Sequence, residues 1–173
     1  MPTLRSLLCA LALAGASTAA LAETPPAAAP TPPTPPPLPY GAPVSLDTAR
    51  ACVKAAIETA AKNDWFMVVT VVDTGGHIVL TERMDNAQFG SVEPARQKAY
   101  TAVAFRRSTK VFEDMIAKGG AALRLLKLPD ALPIEGGLPL VKDGKIIGAV
   151  GTSGGSAQQD GVAAQGCVDA LGK

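Results

Sequence analysis

Three observations predict an α+β fold built on a central antiparallel sheet of four to five strands, with helices on both faces. Two pairs of short apolar runs are each joined by a tight turn, and such hairpins pair antiparallel. Segments with helical spacing stand before, between and after the hairpins, so helices cover the sheet instead of alternating with its strands. The runs VVTVVD and IIGAVG are close to continuously apolar, as expected of strands buried on both sides.

The elements follow in order. Ser45 to Asn63 places Leu46, Ala49, Val53, Ala56, Ile57 and Ala60 at i, i+3, i+4 spacing behind an N-capping Ser45, which predicts a helix. Phe66 to Asp73 and His77 to Met84 flank Thr74-Gly75-Gly76 and read as the first hairpin. Ser91 to Arg107 alternates Ala95, Ala99, Ala102, Val103 and Phe105 with charged residues behind a proline suited to a first helical turn. Ser108 to Lys118 is a shorter helix stopped by Gly119-Gly120, and Leu123 to Pro133 reads as part helical turn, part loop. Leu138 to Val141 and Lys145 to Thr152 flank Lys142-Asp143-Gly144 as the second hairpin, and Ala157 to Leu171 is the final helix.

Between that hairpin and that helix lies Ser153-Gly154-Gly155-Ser156. Either serine can cap the helix, and the glycines can leave amide N–H groups facing outward to attract a carboxylate or phosphate; alternatively they only turn the chain. Gly151-Thr152-Ser153-Gly154-Gly155 also matches a nucleophile elbow, but the one histidine precedes the serine and no repeated α/β pattern surrounds it, so a serine hydrolase is rejected. One histidine and the two cysteines outside the amino-terminal apolar run, Cys52 and Cys167, cannot furnish a zinc site.

Residues 1–22 read as a secretory signal peptide: Arg5, an apolar run from Leu7 to Ala14, and the small-residue site Ala20-Leu21-Ala22. Export to the periplasm or beyond is the expectation. Glu23 to Pro43 is proline-rich and predicted to be a stiff exposed tether that neither pairs into a sheet nor continues a helix. Val44 to Lys173 remains, roughly 130 residues, the ordinary size of one domain. Charge is balanced, with 16 basic and 15 acidic residues of which Arg5 leaves with the leader, so nucleic acid is not an expected partner. Cys52 and Cys167, in the first and last helices, either close a disulfide or pack as small apolar side chains.

Three cassettes, VVDTGGHIVLTERMDNA, KAYTAVAFRRST and GGLPLVKDGKIIGAVGTSGGSAQQD, stand in an order that resembles the GlcG/HbpS family, also called the haem-degrading or DUF336 family, which includes the C-terminal domain of PduO-type proteins. The likeness spans Val44 to Lys173. Arg83, Met84, Asp85, Ser91, Lys98, Thr101, Phe105, Thr109, Gly136, Gly137 and Pro139 sit at corresponding places; Asn86, where the family has glycine, Leu140 and Thr152 depart mildly. The resemblance implies a profilin-like or roadblock-like α+β fold, higher homo-oligomers and, in some members, haem binding with or without haem breakdown.

Haem needs an apolar slot, cations or amides for its propionates and a polar group near iron. His77 is the candidate iron ligand, and otherwise an exposed residue beside a turn. Lys98, Arg106 and Arg107 can meet propionates, or form a solvated helix face. Thr109 resembles the family's threonine near the pocket, although Ser108 or Thr109 can equally be only the N-cap of the next helix; the Gly136-Gly137 turn is placed near the ligand. Met84 and Tyr100 are read mainly as core residues, Asp85 as closing a turn, and no catalytic residue is assigned. The expectation is a secreted, oligomeric haem- or tetrapyrrole-binding protein. A haem-degrading enzyme of the same fold, or a non-catalytic structural or sensor subunit whose tether presents it to a membrane-associated partner protein, are the alternatives.

Overall fold

The computed structural model describes residues 36–172. The signal peptide and most of the proline-rich stretch lie outside the described residues. The elements are α1 (Leu46–Ala61), β1 (Val68–Val72), β2 (Ile78–Arg83), a 3-10 turn (Phe89–Ser91), α2 (Val92–Ala104), α3 (Thr109–Ala117), a longer 3-10 segment (Gly120–Lys127), β3 (Gly137–Lys142), β4 (Lys145–Ser153) and α4 (Ala157–Leu171).

The four strands form one sheet in the order β2-β1-β4-β3, antiparallel throughout. The two runs expected to be buried on both sides are its central strands: all of β1 is buried, and so is all of β4 after Lys145. At the β3–β4 turn both Asp143 and Gly144 take positive φ, 50° and 69°. That pair of left-handed residues matches the right-handed twist of a two-residue hairpin. Asn86 also takes a positive φ, 65°, which explains glycine as the family's usual residue there and asparagine as a tolerated replacement.

α1 and α4 cover one face, where Ala49, Cys52, Val53, Ala163, Ala164 and Cys167 pack on Val69, Val71, Leu140 and Val150. Cys52 and Cys167 are joined there as a disulfide. α2 covers the opposite face, setting Ala95, Ala99, Ala102 and Val103 against Val68, Val72, Ile146 and Ala149. Its alanines have no side-chain entropy to lose and let the helix lie close to the sheet.

The structure corrects one expectation. A proline-rich tether that stays exposed and unpaired as far as Pro43 is not what is found, because from Pro39 onward the chain is bound to β4. Ile146 N donates to Pro39 O at 2.9 Å, Gly41 N to Ile146 O at 2.7 Å and Val44 N to Ile147 O at 2.7 Å, with Tyr40 parallel to Ile146. β1 ends at Val72 opposite Ala149, which leaves this flank of β4 open. The prolines are no obstacle, because Pro39 only accepts and the donors are Gly41 and Val44.

Candidate functional site

Four of the six candidate binding residues meet in one buried node. Lys98 of α2 reaches past the end of the sheet to Asp160 of α4, 2.6 Å away; the two side chains are 3% and 4% exposed. They come from helices on opposite faces and meet beside Gly136, whose φ is +123°. A Cβ there would stand 2.8 Å from Asp160 Cβ and 3.0 Å from Lys98 Nζ, so only glycine leaves the passage open. Gly137 is equally constrained, since a Cβ would enter the Lys98 carbonyl and Thr109 Cγ2.

Thr109 Oγ1 accepts from Gly137 N at 2.9 Å, and Thr152 Oγ1 donates to the Asp160 carbonyl. Gly155 N donates to Asp160 Oδ1 at 3.0 Å. Of the two readings of the glycine-rich exit loop, an anion site or a simple turn, the structure gives a turn whose Gly155 amide is met by the protein's own carboxylate. Ser156 and Gln159 close the start of α4 as a capping box. Burial pushes the Asp160 carboxyl above the ordinary carboxylate value, against the pull of the Lys98 ammonium and the Gly155 and Gly154 amides. Among the described residues no buried side-chain polar atom lacks a partner. Lys98 thus lies neither on a solvated face nor in an open pocket: its ammonium neutralises Asp160. Asp160 and Thr152 were not among the candidates. Asp160 shares the i, i+3, i+4, i+7 stripe of Ala163, Ala164 and Cys167, and an acid on a buried stripe demands a buried cation.

The other two candidates are exposed. His77 ends the β1–β2 turn with its side chain 82% exposed, and its Nδ1 stands 3.4 Å from Asp73 Oδ1. Asp73 Oδ1 also accepts from the Gly75 and His77 amides at 2.8 and 2.9 Å. Partial burial alone would raise the Asp73 carboxyl, but those amides and the imidazole outweigh it and hold it below its ordinary value. An imidazole held at Nδ1 by a carboxylate presents Nε2 outward, the arrangement found behind metal-binding histidines. The turn rests on α2, where a Cβ on Gly76 would meet the Tyr100 ring.

Arg107 follows α2 with its guanidinium 5.6 Å from the Phe112 ring, which in turn meets Phe105 edge to face. No hydrogen bond or ion pair among the described residues joins His77 or Arg107 to the node. Met84 is packed with the core, its sulfur accepting from Met67 N at 3.4 Å. A groove of about 420 Å³ lies on Ile57, Phe66 and Met84 with Arg83 at its rim. Another of about 450 Å³ lies between Pro43 to Ser45 and the β3–β4 turn. Neither is lined by any of the six candidates.

Comparison with known proteins agrees with this architecture. The model of the family described as "Haem degrading protein HbpS-like" matches residues 44–169. GlcG of Escherichia coli is 40% identical over 110 residues, which are 64% of this chain and 81% of that protein. The solved PduOC:heme complex is 35% identical with a TM-score of 0.68, covering 74% of this chain and 94% of that one. A double mutant of Streptomyces reticuli HbpS is 31% identical with a TM-score of 0.71, covering 86% of this chain and all of that one (100%). From its first helix to its last, this chain belongs to the HbpS-like family.

Proposed function

We propose that the protein is an exported, oligomeric haem- or tetrapyrrole-binding protein that holds its ligand where two subunits meet. The observation that carries this reading is the likeness to the PduOC:heme complex over nearly the whole of that structure. Haem, if bound, would supply an iron for which a histidine nitrogen is an ordinary ligand. His77 suits the role of that ligand, being exposed and having its ring fixed by Asp73 and the turn. Arg107, stacked on Phe112, offers a planar fork to a carboxylate. The node's part is to hold Thr109, Gly136 and Gly137 in place and so fix where α3 and β3 start.

Exposed apolar side chains support assembly. Val111, Met115, Leu123, Leu126 and Ile134 gather along α3 and the segment after it, all between 39% and 58% exposed. A second copy covering such a surface removes it from water and can close a slot over a planar ligand. The leader sequence and the Cys52–Cys167 bridge both suit an oxidising compartment such as the periplasm.

Hemin titration of the purified protein tests the reading. A saturable Soret shift, weakened at least tenfold in His77→Ala, is the expected result; an unchanged titration in His77→Ala overturns the assignment of the ligand. The family's description favours a second reading, oxidative haem breakdown, whose mark is Soret decay with iron release under peroxide or reductant. Absence of saturable binding overturns both and leaves an accessory subunit presented by its tether to a membrane-associated partner.

A further inference from the structure

The docked arm, Pro39 to Val44, lies ahead of the span matched by the family model in all but its last residue and belongs to no recognised motif, yet it makes specific contacts with the end of α2. Tyr40 Oη donates to Val103 O at 2.8 Å, and the Arg106 guanidinium lies 5.4 Å from the centre of the Tyr40 ring. These contacts fall on an unusual helix end. Arg107 N donates to Ala102 O at 3.2 Å and Arg106 N to Val103 O at 3.3 Å, the two bonds of a Schellman closure. The left-handed residue in that closure is ordinarily glycine; here it is Arg106, with φ 54°. A non-glycine residue is disfavoured in that conformation, so a contact from outside the helix adds to what the two closure bonds supply.

We propose that Tyr40 is a positioning residue: the docked arm locks the α2–α3 corner by bonding the Val103 carbonyl and stacking under Arg106, and so sets Arg107 and Thr109. The corner delivers Arg107 onto Phe112 and, two residues on, Thr109 onto Gly137. Because the arm is the end of the proline-rich stretch, whatever engages that stretch acts on the corner through Tyr40. Undocking the arm takes the Tyr40 bond away from the Val103 carbonyl, which keeps only its helix-end amide partners, removes the stacked ring and lets the Arg106 backbone leave its left-handed state. The effect on ligand affinity rests on the tetrapyrrole reading; the effect on the corner does not.

Amide hydrogen exchange on the full mature chain tests this. In Tyr40→Ala, protection of the Arg106 and Arg107 amides is expected to fall roughly tenfold, as for loss of about one hydrogen bond, with central β1 and β4 amides unchanged. Tyr40→Phe, which keeps the ring, is expected to fall between the two. Adding Arg106→Gly to Tyr40→Ala is expected to restore protection, since glycine takes the left-handed state without support. Unchanged corner protection in Tyr40→Ala, equal loss across the whole sheet, or no rescue by Arg106→Gly overturns the proposal. Hemin affinity is expected to weaken in Tyr40→Ala and recover in the rescued variant. If the wild type binds hemin and a loosened corner leaves that affinity unchanged, the link to the ligand fails. If the wild type binds no hemin, the tetrapyrrole reading fails while the exchange result still decides the corner.

Discussion

Two aspartates at different places in the molecule show how burial divides residues that look alike in the sequence. Asp160 is 4% exposed and meets one lysine and the Gly155 amide; Asp73 is 25% exposed and meets two amides and the imidazole. Burial raises the first carboxyl, while the hydrogen bonds around the second lower it. Every buried polar group around Asp160 finds its partner inside the domain, whereas the group beside Asp73, His77, stands exposed to solvent. Two carboxylates that read alike in the sequence are therefore told apart only by packing: one is locked between helices, the other braces an exposed side chain.

The severest way to break this contrast is Lys98→Ala, which leaves Asp160 buried without its counter-charge. A loss of about 3–5 kcal/mol in urea unfolding is expected, whereas Lys98→Met combined with Asp160→Asn, which keeps an acceptor for the Gly155 amide, should recover most of it. A Lys98→Ala loss under about 1 kcal/mol, the range of an exposed pair, would mean the node is no strut. Next in size is Gly137→Ala, where a Cβ meets the Lys98 carbonyl; overpacking of about 1–3 kcal/mol is expected in the same assay.

Asp73→Ala should cost about 1 kcal/mol at neutral pH, for the lost turn bonds. Its pH dependence sharpens the comparison. Asp73 has a lowered folded-state value, so its contribution is present above the ordinary value of 3.8 and disappears as pH falls through the folded one. Asp160 has a raised value, so its contribution is full below 3.8 and declines as pH climbs through the folded value. On acidification the stability gap to wild type should therefore close for Asp73→Ala and widen for Asp160→Asn, measured by urea unfolding between acid and neutral pH. Gaps moving in the same direction would show that the two sites do not differ as described. The smallest expected effect is on His77→Ala, whose urea midpoint should match wild type even where hemin binding is lost, because the ring touches no core.

The sheet and its covering helices were legible because their signals are local. The Asp143-Gly144 step announces its hairpin, and Ser45, Ser108 and Ser156 each accept a hydrogen bond at the start of a helix as their positions imply. The node was legible only in part, since Lys98 and Asp160 lie 62 positions apart and belong to helices on opposite faces of the sheet. The pairing of Pro39 to Val44 was hidden for another reason: proline content argues against a strand only where a proline must donate, and here none does. The exit loop stayed open between two readings because amides at a helix start look alike whether the anion arrives from solvent or from the next turn of helix.

The bridge between Cys52 and Cys167 spans 115 positions. During synthesis the amino-terminal cysteine therefore waits for almost the entire domain to be made before its mate appears, and a chain cut short ahead of the last helix can never be locked. Covalent closure thus waits on the last helix of the domain, reserving the cross-linked form for molecules in which that helix has been made.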